Sequence, residues 1–417
     1  MAGRSPKSGS SYSSLLKNRS FSYLWTGQLI SQSGDAVFDI ALLWLVLVTT
    51  GSTALVGLTQ AAVIIPAVLV SPIAGVYADR VNRRTVMVVS NVFQGLVTLA
   101  VSLLYASSSL SFSLLIVLVL LLYSGAQFYR AASGAMIPRL VSKEQLGAAN
   151  GLFSLTQSFN QLLGYVLGGV IVLALGAVVP ISYDGVTFFA AAALMLFIAK
   201  AHGVPNPPDS VPVEKKSFTG DFREGLGFVR KSSIFRQLIL FGLIVNFFTS
   251  GLVALLAPYA RFWVHGNAST YGFLSAGFAL GVIIGSVLVG KVNFRGYVGK
   301  LLFAGVLVLG ALFALAGFVT SFAPALVVFT GMGVTLAVVN VPINSLVQTK
   351  VPNEMLGRAG AVLGASLTAA QPVASVLAGV LAEYFSIGSV IVASGAAVMI
   401  ATVVLFPIFR ELRGASY

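Results

Sequence analysis

Long apolar runs alternate with short polar connections along almost the whole chain. A helix needs about 20 apolar residues to cross a bilayer. The runs are continuous rather than alternating in twos, so they predict helices and not barrel strands. Twelve candidate spans follow, at about 22–48, 54–77, 85–106, 111–133, 149–177 and 181–200, then 236–260, 270–290, 298–319, 323–347, 359–382 and 387–409. The pattern therefore predicts an all-α membrane protein with twelve transmembrane helices. The longest polar segment, 201–235, separates two sets of six. The expected organisation is an N-terminal tail (1–20), a six-helix bundle (21–200), a linker (201–235), a second six-helix bundle (236–409) and a short tail (410–417). The linker opens with "HGVPNPPDSVPVEKK", which should be extended. Beyond it Phe222, Leu226, Val229 and Ile234 are spaced for one face of an interfacial helix.

Composition agrees with this pattern. Apolar residues make up 57% of the chain and charged residues only 9%, against roughly 25% charged in soluble proteins. A formal net charge of +13 would suit a nucleic-acid binder if the basic residues formed one patch. They recur instead in clusters between apolar runs. With the N-terminus in the cytoplasm, 24 of the 25 Lys and Arg residues fall on the cytoplasmic side and only Arg261 on the other. That asymmetry predicts an even number of spans with both termini cytoplasmic, in a cell membrane. The first apolar run is too long for a signal-peptide core, so no cleavage is expected. The absence of cysteine excludes disulfide and thiol chemistry.

The two halves repeat. With an offset of 210, residues 141–170 and 351–380 share ten identities in thirty, among them Glu144/Glu354, Leu146/Leu356, Gly147/Gly357, Gln161/Gln371 and Gly169/Gly379. Apolar composition alone would not match the Glu, the Gln and the Leu-Gly pair together. An even number of spans per half makes the repeat parallel, about a pseudo-two-fold axis along the membrane normal. This is a transporter plan, with a substrate site expected between the halves.

The connection between the second and third spans reads "GVYADRVNRR". It resembles the signature loop of the major facilitator superfamily: Gly75, Asp79, Arg80, Arg83 and Arg84 match, and Asn82 stands where Gly is usual. The resemblance implies a cytoplasmic gate, with Arg130 as a partner for Asp79. The fifth span, "GLFSLTQSFNQLLGYVLGG", resembles the antiporter motif of that superfamily at Gly151, Gly164, Gly168 and Gly169, with Asn160 and Tyr165 replacing a Gly and a Pro. The first two spans resemble the drug and macrolide efflux branch. In that fold the first, fourth, seventh and tenth spans line the cavity, which makes Gln32, Phe38, Gln127, Asn246, Asn340 and Asn344 cavity candidates. Asn340, Asn344 and Gln348 share one face of the tenth span by their spacing. Each of these residues also has a plain packing role as the alternative.

Two acids lie deep in the first span, Asp35 and Asp39, one helical turn apart. A mid-membrane Asp costs about 2.5–3.5 kcal/mol, so each should face a cavity or a partner. No Lys or Arg is expected at that depth, and the remaining ten acids are expected in loops, tails or near span ends. Acids this close titrate as a coupled pair. A carboxyl that is neutral in one state and ionised in another can carry a proton or attract a cation. Helix packing by either Asp is the alternative.

Nothing indicates an enzyme. His202 and His265 are far apart, no phosphate-binding Gly-Lys loop is present, and no metal-ligand cluster or cofactor is expected. The reading is a proton-coupled exporter of amphipathic or cationic, lipophilic small molecules. Its partners would be substrate, protons and bilayer, it would act as a monomer, and it would not bind nucleic acid. The rivals are a facilitator or importer of one solute, such as a siderophore or lysolipid, and a non-transporting sensor on the same fold.

Overall fold

The computed structural model describes residues 9–198, 218–291, 296–352 and 355–416. Among them no strand occurs. A backbone in lipid must satisfy its hydrogen bonds within each segment, and helices do so. The helices are α1 (Gly9–Lys17), α2 (Arg19–Thr50), α3 (Thr53–Leu69), α4 (Ser71–Arg80), α5 (Arg83–Ala106), α6 (Phe112–Leu140), α7 (Leu146–Leu175) and α8 (Val178–Leu196). They continue with α9 (Phe218–Lys231), α10 (Ser233–Pro258), α11 (Ala268–Gly290), α12 (Val298–Ala316), α13 (Phe322–Lys350), α14 (Leu356–Ala369), α15 (Gln371–Tyr384) and α16 (Ile387–Ile408).

Eleven of these segments are long and apolar enough to cross a membrane, and the pair α3 and α4, bent by 42°, makes a twelfth. The bend has a covalent cause. Pro66 lies inside α3 and Pro72 in the first turn of α4. Proline has no N–H to give, and its ring clashes with the preceding turn. The expected eleventh span is likewise two helices, α14 and α15, which meet at Ala370 with Pro372 just beyond.

Side chains and glycines set the helix ends. Ser111 Oγ accepts from Leu114 N at 3.3 Å, and Ser386 Oγ from Ser389 N at 3.1 Å. Asn267 and Thr270 form a reciprocal capping box at α11, satisfying two amides of a first turn. Gly51 and Gly176 close α2 and α7 at φ +67° and +76°, a region a side chain disfavours. They mark what is called below the distal end, away from the chain termini.

Contacts sort the chain into two units. One holds residues 1–39, 69–164 and 178–214; the other holds 40–68, 165–177 and 215–417. The division does not follow the sequence halves, because two short pieces of the first half group with the second. The core of the first unit contains Leu15, Phe21, Leu24, Met87, Tyr129, Phe153 and Met195. Leu15 belongs to α1, so the segment expected as a tail contributes a helix to the packing. The core of the second unit contains Phe235, Phe241, Phe303, Val306, Val398 and Leu412, with the Phe241 and Phe303 rings 4.7 Å apart. Val229 and Leu226 of α9 pack into this core, so the apolar face expected at the lipid interface rests on protein. The Pro-rich stretch of the linker and the Phe222 side chain lie outside the described residues.

Candidate functional site

The α2 helix carries Asp35 and Asp39, and both are half-buried. Tyr123 of α6 donates its hydroxyl proton to Asp39 Oδ1 at 2.5 Å. Arg130, two turns further along α6, is solvent-exposed yet within electrostatic range of both acids.

The expectation that these are the only carboxylates deep in a span is corrected. The α8 helix starts at Val178, three residues before its expected start. That places Asp184 in the second turn and fully buried. A β-carbon on Gly34 would sit 2.5 Å from Asp184 Oδ1 and 2.9 Å from its Cα. Hence α2 and α8 touch at the residue just before Asp35. Ser33 Oγ and the Tyr183 hydroxyl, 2.9 Å apart, bond beside this contact.

Three contacts along one line hold α2 against α7. Trp25 Nε1 donates to Thr156 Oγ1 at 2.9 Å, and Asn160 Nδ2 to the Leu29 carbonyl at 2.9 Å. A β-carbon on Gly164 would meet that of Ala36 at 2.5 Å. Gly164 and Asn160, read from the sequence within an antiporter motif, thus fix the helix that bears the acids. Gly168 is buried, whereas Gly151 has only the Tyr12 hydroxyl nearby, at 3.8 Å from a β-carbon.

The signature loop has defined local roles. Asn82, standing where the superfamily has Gly, caps α5 by accepting from Arg84 N at 3.0 Å and Thr85 N at 3.5 Å. Arg84 reaches the end of α8: Nε donates to the Met195 carbonyl at 3.2 Å and Nη2 to the Leu196 carbonyl. A β-carbon on Gly75 would meet nothing, so packing does not demand glycine there. Arg80 is exposed and Arg83 half-buried. The Asp79 side chain lies outside what is described.

The cavity candidates divide. Asn340, Asn344 and Gln348 all lie on one exposed face of α13. Asn246 accepts at Oδ1 from Gln371 Nε2 at 3.2 Å while donating to the Gly242 carbonyl at 2.8 Å. Gln127 is buried and donates to the Tyr123 carbonyl at 3.2 Å, behind the hydroxyl that meets Asp39. Gln32 is half-buried, with its Oε1 unpartnered. Phe38 is 1% exposed and belongs to the core.

At the distal end, within the second unit, two glycine contacts repeat one design. A β-carbon on Gly379 of α15 would meet the Thr53 carbonyl at 2.5 Å and Gly57 Cα at 3.1 Å; one on Gly169 of α7 would meet the Ala268 carbonyl at 2.6 Å and Gly272 Cα at 3.1 Å. In each case a hydroxyl from the start of the facing helix donates to the glycine carbonyl: Thr53 to Gly379 at 2.7 Å, Ser269 to Gly169 at 3.3 Å. Gly169 and Gly379 are the repeat partners found in the sequence, so the internal repeat supplies two equivalent close approaches. Small residues permit such backbone proximity in membrane helices. Arg261 lies nearby, over the Trp44 ring at 5.8 Å.

Among the described residues no group of three His, Cys, Asp or Glu is placed to hold a metal ion. The bundle thus carries half-buried acids on α2, a polar face on α13 and two equivalent glycine seams. The model of the transmembrane secretion effector family, a major facilitator family, matches residues 10–413, and the chain belongs to that family. It is a family of transporters and not of enzymes. The chain is similar to macrolide efflux protein A of Streptococcus pyogenes, 22% identical over 94% of this chain and 96% of the relative. It is similar to the multidrug efflux pump Tap of Mycolicibacterium fortuitum, 24% identical over 93% and 96%. Two solved structures share the fold. The nucleoside transporter NupG has a TM-score of 0.72 at 11% identity, covering 94% of this chain and 99% of that one. A bacterial homologue of the human lysosomal transporter Spinster, inward-facing and unoccupied, has a TM-score of 0.67 at 17% identity, covering 99% and 97%. The chain is thus a multi-pass membrane protein with the twelve-helix fold of major facilitator transporters.

Proposed function

We propose that this transporter exports amphipathic, cationic compounds from the cell in exchange for protons. The observation that carries the reading is the acid pair on α2, half-buried at mid-span, with a tyrosine hydroxyl on Asp39 and a guanidinium in range of both acids. A proton and an organic cation would compete for such a pair. That competition couples the two, because each ligand biases the same equilibrium between inward- and outward-facing states. The exposed Asn340, Asn344 and Gln348 face suits a polar path. The efflux names of the relatives support export.

Both termini face the cytoplasm in this reading, because nearly all basic residues then lie inside. The distal glycine seams then form the outer gate, Arg80, Arg83 and Arg84 with Asp79 and Arg130 lie at the inner one, and one six-helix bundle rocks against the other in a monomer. The test is flux of ethidium and of a neutral macrolide in proteoliposomes under an imposed pH gradient. Wild type should respond to the gradient, and Asp35→Asn and Asp39→Asn should each lose the response. Transport that follows the gradient equally in both variants refutes the coupling. A response confined to one uncharged solute would favour a single-solute transporter instead.

A further inference from the structure

Asp184 sits where an ionised carboxylate has little support. Its side chain is 0% exposed, and its carboxyl has the Thr187 hydroxyl beside it but no cation. The hydroxyl of Thr187, one turn on, donates to the Asp184 main-chain oxygen at 2.8 Å. The carboxyl is pressed against Gly34, the neighbour of Asp35, so it points at the segment of α2 that carries the acid pair. The charges that act on it are Asp35 and Asp39, both of its own sign. A buried and unpartnered polar group, the Tyr129 hydroxyl, lies in range of Asp35.

Among the described residues, the groups around α8 bring no cation to it. The α2 helix brings Asp35 and Asp39, and α6 brings Tyr123 and Tyr129. The α5 helix, packed along α8, brings Arg83, Arg84 and Tyr105 at its two ends, with Asn91, Gln94 and Thr98 between. Arg84 is engaged at the far end of α8 by the Met195 and Leu196 carbonyls, and Tyr183 on α8 pairs with Ser33. A buried charge without a partner is far costlier than the neutral acid.

We propose that Asp184 is a further proton-binding carboxyl of the α2 site, protonated while it is sealed against Gly34 and releasing its proton when water enters the site. The release breaks the carboxyl O–H bond, leaving a carboxylate on Asp184 and the proton on water. The site then loads protons at two places, the Asp35–Asp39 pair and Asp184. Its role in transport rests on the proton-coupled reading above, whereas its protonation can be read without transport.

Infrared spectroscopy of the purified full-length protein in lipid vesicles tests this. At neutral pH, wild type should show the C=O band of a protonated carboxylic acid in a buried, weakly hydrogen-bonded setting. The band should move when aspartate is labelled with carbon-13. It should vanish in Asp184→Asn and persist in the Asp35→Asn/Asp39→Asn double variant. Absence of the band in the labelled wild type, or its survival in Asp184→Asn, overturns the proposal. If Asp184→Asn does not fold, loss of the band in the double variant overturns it instead. In the flux assay, exchange of a monovalent cation such as ethidium should respond to an imposed membrane potential in wild type and lose that response in Asp184→Asn. An Asp184 band together with flux that ignores the pH gradient would sink the coupling reading while leaving the protonated acid in place.

Discussion

The Tyr123 hydroxyl donates to Asp39 Oδ1 at 2.5 Å, tying α6 to the acid-bearing face of α2. Hydrogen bonds to charged groups contribute roughly 1.5–3 kcal/mol. Tyr123→Phe removes this donor with little change of shape. It should cut gradient-driven flux several-fold at equal expression. In the Asp39→Asn background the same change should add little, because both variants break one interaction and their effects are not additive. Flux from the four proteins of this double-mutant cycle decides it, and full additivity would mean that the bond plays no part in transport.

Arg84 offers a test of the signature loop. Its guanidinium spans two carbonyls at the end of α8, where the last carbonyls of a helix lose their i+4 partners. Arg84→Lys keeps the charge but loses the fork that meets two acceptors together. It should lower the thermal midpoint, with a loss of about 1 kcal/mol. Thermal denaturation in detergent checks this. An unchanged midpoint with impaired flux would assign Arg84 to gating alone.

The fold was legible because the bilayer writes it plainly: backbone hydrogen bonds forced inside each segment demand long apolar helices. The acid pair was legible for the same reason, since a charge stands out in an apolar run. Asp184 was not. Gly176 and Pro180 make the start of α8 read as a loop, yet proline is tolerated in a first turn, and the helix begins two residues before it. Gly164, Gly169 and Gly379 were visible as small residues. Their partners Ala36, Gly272 and Gly57 were not, because only the fold brings those positions together.

The distal seam should be sensitive to side-chain size. A β-carbon on Gly379 would overlap the Thr53 carbonyl at 2.5 Å, which is backbone and cannot rotate away. Gly379→Val should therefore hold the seam apart and abolish transport while the protein still inserts. The chain has no cysteine, so one introduced at Thr53 reports the seam directly. Its labelling by a membrane-impermeant thiol reagent, added at the outside, should rise in the Gly379→Val background. Unchanged labelling would show that the seam closes despite the added bulk.

Glu383 makes the last contact of that seam. One of its carboxylate oxygens accepts from the Ala54 amide at 3.1 Å and from the Ser52 hydroxyl. A residue of α15 thus caps the first turn of α3, where unpaired amides and the helix dipole favour negative charge. Caps of this kind contribute about 0.5–2 kcal/mol. In the proposed cycle this contact breaks when the distal end opens, so it weighs on the closed state. Glu383→Gln keeps the shape and removes the charge. It should shift the population toward distal opening by roughly three- to ten-fold, the equivalent of about 0.7–1.4 kcal/mol. Thiol labelling of the cysteine at Thr53 gives that population. The same variant at high salt should differ less from wild type, because an exposed charge interaction is screened. Equal labelling of both proteins at low salt would show that Glu383 does not hold the distal end closed.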